Sequence, residues 1–220
     1  MDPVSILKKI DIFQGLKDEQ FSLIGQITKT KFIKKNTLIF SKGDENNSMY
    51  IITKGSVDVS ILTETGKELI LATLTNGNYF GELSMLDGAQ ISANITSTTD
   101  VVLLVIQKND LFQLMEKNML IFSNVISHLC IKVRELTEKV EGFALQDVYQ
   151  RLSLLLMDLS DINEKGERVI NTSLTHKNIA LRIGSSREMV SRIIKDLEKG
   201  EYIAINNKVI TIKRKLPLAW

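Results

Sequence analysis

Apolar residues recur with helical spacing in two neighbouring segments near the end of the chain, one on each side of Gly184. The first segment follows Thr175, a suitable N-cap, and the second begins at Ser185 or Ser186. Gly184 permits the backbone to reverse between them. The apolar positions predicted to be buried are Ile179, Ala180, Ile183, Val190, Ile193, Ile194 and Leu197. This pattern predicts two short helices around a tight turn.

The opposite face of the second predicted helix is polar. At about 100° per residue, it carries Arg187, Glu188, Ser191, Arg192 and Lys195. Arginine pairs with guanine in the major groove and glutamate accepts from cytosine, so Arg187, Glu188 and Arg192 are candidates for reading base edges. Thr175, Ser186 and the N–H groups at the two helix starts suit phosphate groups. A solvated face with a capping box between Ser185 and Glu188 is the alternative, and it explains neither arginine.

Alternating apolar residues at 202–205 and 209–212 flank Asn206, Asn207 and Lys208, which include residues that tolerate positive φ. This pattern predicts a β-hairpin directly after the second helix. Two helices around a turn, followed by a hairpin, form a winged helix.

The first half of the chain has a different pattern. Residues 6–30 are typical of short helices, whereas from Lys31 to Gln107 a glycine recurs about every 11 residues. Between these glycines lie short runs of strand-forming residues at 49–52, 56–62, 68–74, 91–98 and 101–106. The pattern predicts a compact β-sandwich or barrel.

From Phe112 onward, apolar residues follow one another at alternating intervals of three and four, which indicates a heptad seam. The residues before Phe122 are expected to pack on this chain's own β domain. The later residues are predicted to form the seam of a parallel homodimer: Phe122, Ile126, Leu129, Val133, Leu136, Val140 and Phe143. The alternative is that they too pack against the chain's own β domain. Asp147 is the expected N-cap of a following helix over 148–159.

Composition agrees with two folded domains. The chain has 220 residues, of which 44% are hydrophobic and 25% charged. Residues 147–220 carry 13 of the 28 Lys and Arg residues but only 9 of the 26 Asp and Glu residues, so the basic excess lies with the predicted winged helix. There is no apolar run of membrane-spanning length and no secretory signal, and the lone Cys130 has no partner for an internal disulfide, so a cytoplasmic protein is expected.

The segment Phe80-Gly81-Glu82-Leu83, followed by Ser185-Ser186-Arg187-Glu188 with Arg192, resembles the cyclic-AMP receptor protein (CRP/FNR) superfamily of transcription regulators. The resemblance covers nearly the whole chain. It implies an α+β fold with an N-terminal cyclic-nucleotide-binding-type β-roll and short helices (1–110), a long dimerisation helix and hinge (111–146) and a C-terminal winged helix-turn-helix (147–220). It also implies a homodimer that binds a pseudo-palindromic site in double-stranded DNA.

In this family a glutamate binds the ribose hydroxyl of the nucleotide and an arginine neutralises the cyclic phosphate. Gly81, Glu82 and Ser92 match that cassette, but Ile91 stands at the arginine position. Losing one charge-assisted bond costs about 1.5 to 3 kcal/mol, or roughly ten- to a hundredfold in affinity. Between Lys67 and Lys108 there is no Lys, Arg or His to replace it.

A second family contact to the adenine is a Thr-Ser pair on the dimer helix, where this chain has Leu136 and Thr137. Cyclic AMP is therefore not the expected effector, and Glu82 and Ser92 are interpreted as structural. The main alternative is a regulator that does respond to a cyclic nucleotide.

Other ways of regulating the protein, and other functions, have less support in the sequence. One cysteine cannot hold an iron–sulfur cluster. His128 and Cys130 are expected to be packed or solvated rather than to bind haem. No metal site or cofactor is predicted. A redox switch at Cys130 has no supporting signal. A regulatory module acting on a protein partner would leave the polar face of the second helix unused, and no catalytic motif indicates an enzyme. The charged segment 161–168 lies where the family contacts RNA polymerase, although a solvated hairpin explains it equally well.

Overall fold

The computed structural model describes residues 3–164, 166–171 and 174–217. The chain divides into two compact units, Met1–Arg134 and Glu135–Trp220. Residues 1, 2, 165, 172, 173 and 218–220 lie outside the described part, and Lys165 falls within the predicted RNA polymerase contact.

The first unit begins with short helices, as the sequence predicts for residues 6–30. They are α1 (Pro3–Leu7), a 3₁₀ turn (Asp11–Phe13) and α2 (Asp18–Ile27). Their buried side chains include Leu7, Phe13 and Ile24, which pack in one core with Met49, Ile51, Leu104 and Ile106 of the β domain. The amino-terminal segment is therefore part of the fold of this unit.

Two antiparallel sheets form the body of the first unit. Their strands are β1 (Lys29–Ile33), β2 (Leu38–Phe40), β3 (Ser48–Lys54), β4 (Val57–Leu62), β5 (Glu68–Leu74), β6 (Tyr79–Phe80), β7 (Asn94–Ser97) and β8 (Val101–Gln107). One sheet has the order β1-β8-β3-β6 and the other β2-β7-β4-β5. Side chains of both sheets share a core that includes Tyr50, Ile52, Val57, Ile95 and Leu103. The predicted β architecture is confirmed.

Helix α3 (Glu82–Asp87) lies between β6 and β7, within the β domain. Two helices follow the last strand of that domain: α4 (Lys108–Lys117) and α5 (Met119–Leu145). The prediction of one dimerisation helix over 111–146 is wrong at its start, because Asn118 breaks it with an extended backbone (φ −145°, ψ 95°). The Asn118 side chain accepts the N–H of Leu120 at 3.1 Å, a local bond typical of Asn at helix ends. The long helix therefore has 27 residues and starts at Met119.

The second unit has the predicted order of a winged helix. Its elements are the carboxyl-terminal part of α5, α6 (Val148–Asp158), β9 (Asp161–Ile162), β10 (Arg168–Ile170), α7 (His176–Ile183), α8 (Arg187–Lys199), β11 (Ile203–Asn206) and β12 (Val209–Ile212). The strands form one sheet in the order β11-β12-β10-β9. Asp147 is the N-cap of α6 as expected, and its side chain accepts the N–H of Gln150 at 2.8 Å.

The hairpin of the wing turns through Asn207 (φ 50°) and Lys208 (φ 68°). Asn206 pairs directly with Val209, so only two residues form the turn. Positive φ at both central positions is the geometry of a type I′ turn, whose twist suits a hairpin. The predicted hairpin is confirmed, with Asn206 belonging to the strand.

Candidate DNA interface and effector pocket

The two helices α7 and α8 are held at a fixed turn by their caps. The Thr175 hydroxyl accepts the N–H of Asn178, and the Ser186 hydroxyl accepts the N–H of Met189, both at 3.1 Å. Gly184 has left-handed backbone angles (φ 61°, ψ 48°), as predicted for the reversal. Because Ser186 rather than Ser185 is the N-cap, the capping box between Ser185 and Glu188 does not form.

Helix α8 buries one face and exposes the other. All four predicted apolar residues of α8 are buried: Val190, Ile193, Ile194 and Leu197. Arg187, Glu188, Arg192 and Lys195 are exposed. Three charged groups able to contact base edges therefore lie in the first two turns of α8, on its exposed face. That arrangement is what a recognition helix requires.

Two predicted DNA-facing hydroxyls already have partners within the protein. Ser191 on α8 lies 3.1 Å from Nδ1 of His176 at the start of α7. The Thr175 hydroxyl donates to the side-chain oxygen of Asn178 at 2.6 Å, besides accepting from its N–H. The sequence does not pair His176 with Ser191, because the contact joins residues 15 apart and no short motif reveals it.

Met189 contacts the guanidinium of Arg192, with 2.9 Å between the sulfur and Nη2. The thioether sulfur is a weak acceptor, so this contact orients Arg192 without satisfying its fork of donors. The side chain of Arg192 is thus held on the exposed face of α8 and keeps donors for another acceptor.

An apolar stripe runs along α5. Six of the seven predicted seam residues are 42 to 67% exposed: Phe122, Ile126, Val133, Leu136, Val140 and Phe143. Leu129 is different, because it packs against the core of the first unit. Of the residues predicted to pack on the β domain, Met115 does so, whereas Met119 is 75% exposed. Large apolar side chains at heptad spacing on one helix favour a helical partner.

The turn before α3 is tightly built. The side-chain nitrogen of the buried Asn46 lies 2.7 Å from the carbonyl oxygen of Ser48, 2.9 Å from that of Gly81 and 3.1 Å from the hydroxyl of Ser84, so its two hydrogens are shared among three acceptors. Gly81 has φ 81°, and a Cβ added there would lie 2.8 Å from the Ser48 carbonyl oxygen. Only glycine fits this position, which explains the residue of the cassette that precedes Glu82.

Glu82 is buried and pairs with a cation from α5. Its Oε1 lies 2.5 Å from Nζ of Lys132, and the Glu82 residue is 6% exposed. The expectation of no basic group near the cassette is therefore incomplete, because α5 supplies one from 50 positions further along the chain. The Lys132 ammonium group thus bonds to one oxygen of the carboxylate at the position that the resemblance assigns to the ribose hydroxyl.

An aromatic ring packs against this ion pair. Nζ of Lys132 lies 5.2 Å from the centre of the Tyr79 ring, and the Tyr79 ring lies 4.9 Å from that of His128. Burial, and to a smaller extent the charges of Glu82 and Asp11, raise the pKa of Tyr79. The cavity that Tyr79 and Glu82 border with Met85, Val125 and Leu129 holds about 10 Å³, room for about one water molecule and far too little for a nucleotide. Side chains fill this side of Glu82.

The remaining predicted pocket residues are in different surroundings. Ile91 is buried, at 6% exposure, and its N–H donates to the carbonyl oxygen of Asp44 at 2.9 Å, whereas Ser92 is exposed. An apolar side chain therefore points inward at the position that the resemblance assigns to the phosphate-binding arginine. Leu136 and Thr137 belong to the part of α5 in the second unit.

No helix in the described ranges is both long and apolar enough to cross a lipid bilayer. Within the same ranges, His, Cys, Asp and Glu do not form a group of three that could hold a metal ion.

Comparison with known proteins gives matches to both units. Residues 30–118 match the family described as a cyclic nucleotide-binding domain, and residues 150–218 match the Crp-like helix-turn-helix domain. The chain is 32% identical over 185 residues to the cAMP-activated global transcriptional regulator CRP of Salmonella typhimurium, covering 83% of this chain and 88% of that one. The CRP of Pasteurella multocida is 30% identical with the same coverage. The chain belongs to the CRP/FNR family of transcription regulators.

Solved structures confirm the fold of this CRP/FNR chain. The c-di-GMP responsive regulator CLP of Xanthomonas campestris has a TM-score of 0.77 at 20% identity, covering 90% of this chain and all of that one. FixK2 of Bradyrhizobium japonicum has a TM-score of 0.73 at 14% identity, covering 86% and 93%. The β-roll, long helix and winged helix expected from the sequence are therefore confirmed as a CRP/FNR architecture.

Proposed function

We propose that this protein is a homodimeric, sequence-specific DNA-binding transcription regulator that acts without cyclic AMP. The observation that carries the DNA-binding part is the exposed face of α8, where Arg187, Glu188 and Arg192 lie opposite a fully buried apolar face. Arginine reads guanine and glutamate reads cytosine, so each copy of α8 is suited to a short half-site in the major groove.

The stripe on α5 supports the homodimer. Its six exposed apolar residues repeat at heptad intervals, and a second copy of the same helix covers such a stripe in a parallel arrangement. A two-fold dimer presents two copies of α8, which suits a pseudo-palindromic site with half-sites about one helical turn apart. A contact with RNA polymerase through residues 161–168 is a further part of the proposal.

Three features support independence from cyclic AMP. Ile91 provides no charge for a cyclic phosphate, Lys132 is bonded to the carboxylate of Glu82, and Leu136 replaces a hydroxyl residue of the family's adenine contact. The effector, if the dimer needs one, is then a neutral or apolar molecule, and a dimer controlled by its own abundance is the alternative. No cofactor is part of this proposal.

The second candidate is a regulator that responds to a cyclic nucleotide. The observations that favour it are the retained Gly81, Glu82 and Ser92, together with relatives whose names describe them as cAMP-activated. In that case the nucleotide would have to displace Lys132 from Glu82, or share the carboxylate with it.

Selection of bound sequences from random DNA by the purified protein, with and without cyclic AMP, tests both candidates. We expect enrichment of an inverted repeat in both arms and no heat on titration of the protein with cyclic AMP in a calorimeter. Enrichment only with cyclic AMP would favour the second candidate. Failure to enrich any sequence in either arm, at low ionic strength, would refute the DNA-binding proposal.

A further inference from the structure

One arginine in the second unit joins the ends of three helices. Arg151, in the first turns of α6, donates from Nε to the carbonyl oxygen of Ile183 at 2.9 Å and from Nη1 to that of Gln146 at 2.6 Å. Its guanidinium carbon lies 5.4 Å from the centre of the Phe143 ring. Ile183 is the last residue of α7, and Gln146 directly follows the last residue of α5.

Both carbonyl groups lie where a helix leaves its acceptors without partners in the helix itself. The last four carbonyl groups of a helix have no N–H donor in the following turn, and the partial negative charge there favours a cation. The planar guanidinium carries donors in a fixed fork, so it can hold two oxygen atoms in different directions at once. Both contacts are partly buried, which limits their replacement by water.

Ile183 is also close to the start of the recognition helix. Only Gly184, Ser185 and Ser186 separate it from α8, and the Ser185 N–H bonds back to the carbonyl oxygen of Ala180 at 3.0 Å. The turn is therefore short and internally bonded. A restraint on the Ile183 carbonyl restrains where α8 begins.

We infer that Arg151 is a positioning residue that fixes the start of α8 relative to the end of α5, and so sets the separation of the two half-sites that a dimer can bind. This inference rests on the proposed function, because α5 carries the dimer stripe and α8 the base-reading residues. Both helix ends lie in the same compact unit, so the link acts within that unit.

The test compares binding to DNA with different spacers. A labelled duplex carries two copies of the selected half-site, at the selected spacing or with one or two base pairs added or removed, and another duplex carries a single half-site. In Arg151→Met we expect roughly tenfold weaker binding at the selected spacing, because without the two charge-assisted bonds only a minor fraction of molecules holds α8 in the position that this spacing requires. The preference over altered spacings should fall by a similar factor, with single-site affinity unchanged.

Two further variants separate the causes. Arg151→Lys keeps the positive charge but can reach only one carbonyl group well, so its spacer preference should lie between those of wild type and Arg151→Met. Arg214→Met is the matched control, because Arg214 lies in the same unit, donates to the Glu201 carboxylate at 2.6 Å and has its guanidinium carbon 5.8 Å from the Tyr202 ring. Its spacer preference should equal that of wild type.

Unchanged spacer preference in both Arg151 variants would overturn the inference. Equal losses on single-site and two-site DNA would also overturn it, because they indicate a general effect on the winged helix. Should Arg151→Met fail to fold, Arg151→Lys decides by the same criteria. A wild-type protein without any spacer preference would instead refute the proposed dimer, and the inference would fall with it.

Discussion

The ion pair between Glu82 and Lys132 is expected to stabilise the first unit, and its contribution follows from the structure. The two atoms lie 2.5 Å apart, and the side chains are 8% exposed for Glu82 and 32% for Lys132. At an effective dielectric constant of about 20, the gross attraction at that distance is about 7 kcal/mol. Desolvation of the buried carboxylate offsets most of it, so we expect a coupling energy of about 1 to 3 kcal/mol.

A double-mutant cycle measures this coupling energy. Lys132→Met leaves a buried carboxylate without its cation and should destabilise the unit by about 2 to 4 kcal/mol, at or slightly below the range for fully buried pairs because Lys132 is partly exposed. Adding Glu82→Gln should restore much of the loss. Native-state hydrogen exchange of peptides from β3 and β8 gives the free energy of opening for the first unit alone.

The chain offers a matched control in the pair between Lys8 and Asp18, which lie 2.7 Å apart with exposed side chains. An exposed pair contributes about 1 kcal/mol or less. The reasoning is refuted if the Glu82–Lys132 cycle gives less than about 0.5 kcal/mol, or no more than the control cycle.

Four other predictions concern separate parts of the molecule. Gly81→Ala and Gly88→Ala both place alanine at a positive φ, which costs about 1 to 2 kcal/mol. Only Gly81→Ala adds a clash with the Ser48 carbonyl, so this variant should melt at a lower temperature than Gly88→Ala in calorimetry. Val140→Glu should convert the dimer to monomer in sedimentation at micromolar concentration, and an unchanged dimer would contradict the seam. Arg192→Ala should cost about 1 to 3 kcal/mol on specific DNA and relax one base position, whereas Lys195→Ala should weaken specific and random DNA alike in fluorescence anisotropy. Because the pKa of Tyr79 is raised in the folded state, Tyr79 contributes stability that is fully present below pH 10.0, the ordinary pKa of tyrosine, and is lost as the pH rises through the folded-state pKa. Tyr79→Phe should therefore make the melting temperature fall less steeply at alkaline pH.

Local patterns predict the second unit well. The caps at Asp147 and Thr175, the left-handed Gly184 and the buried face of α8 each depend on residues within one or two turns of each other, so their spacing in the sequence is enough. The choice between Ser185 and Ser186 as N-cap could not be made from the sequence, because both carry the same hydroxyl.

The contacts that sequence reasoning missed are long-range. Lys132 reaches Glu82 across 50 positions, and Arg151 reaches Ile183 across 32. Periodicity places a side chain on a face of its own helix but does not say which distant group that face meets. Asn118 itself indicates the break, because asparagine favours helix ends over helix interiors. The apolar repeat continues across this position, and it favours one unbroken helix.

The exposed stripe on α5 has a consequence for the cell that makes this protein. If only the dimer binds an operator, then at chain concentrations below the dissociation constant of the dimer the number of competent dimers grows with the square of the number of chains. Doubling synthesis would roughly quadruple promoter occupancy in that range, so the gene's own expression level becomes an input signal even when no small molecule is sensed.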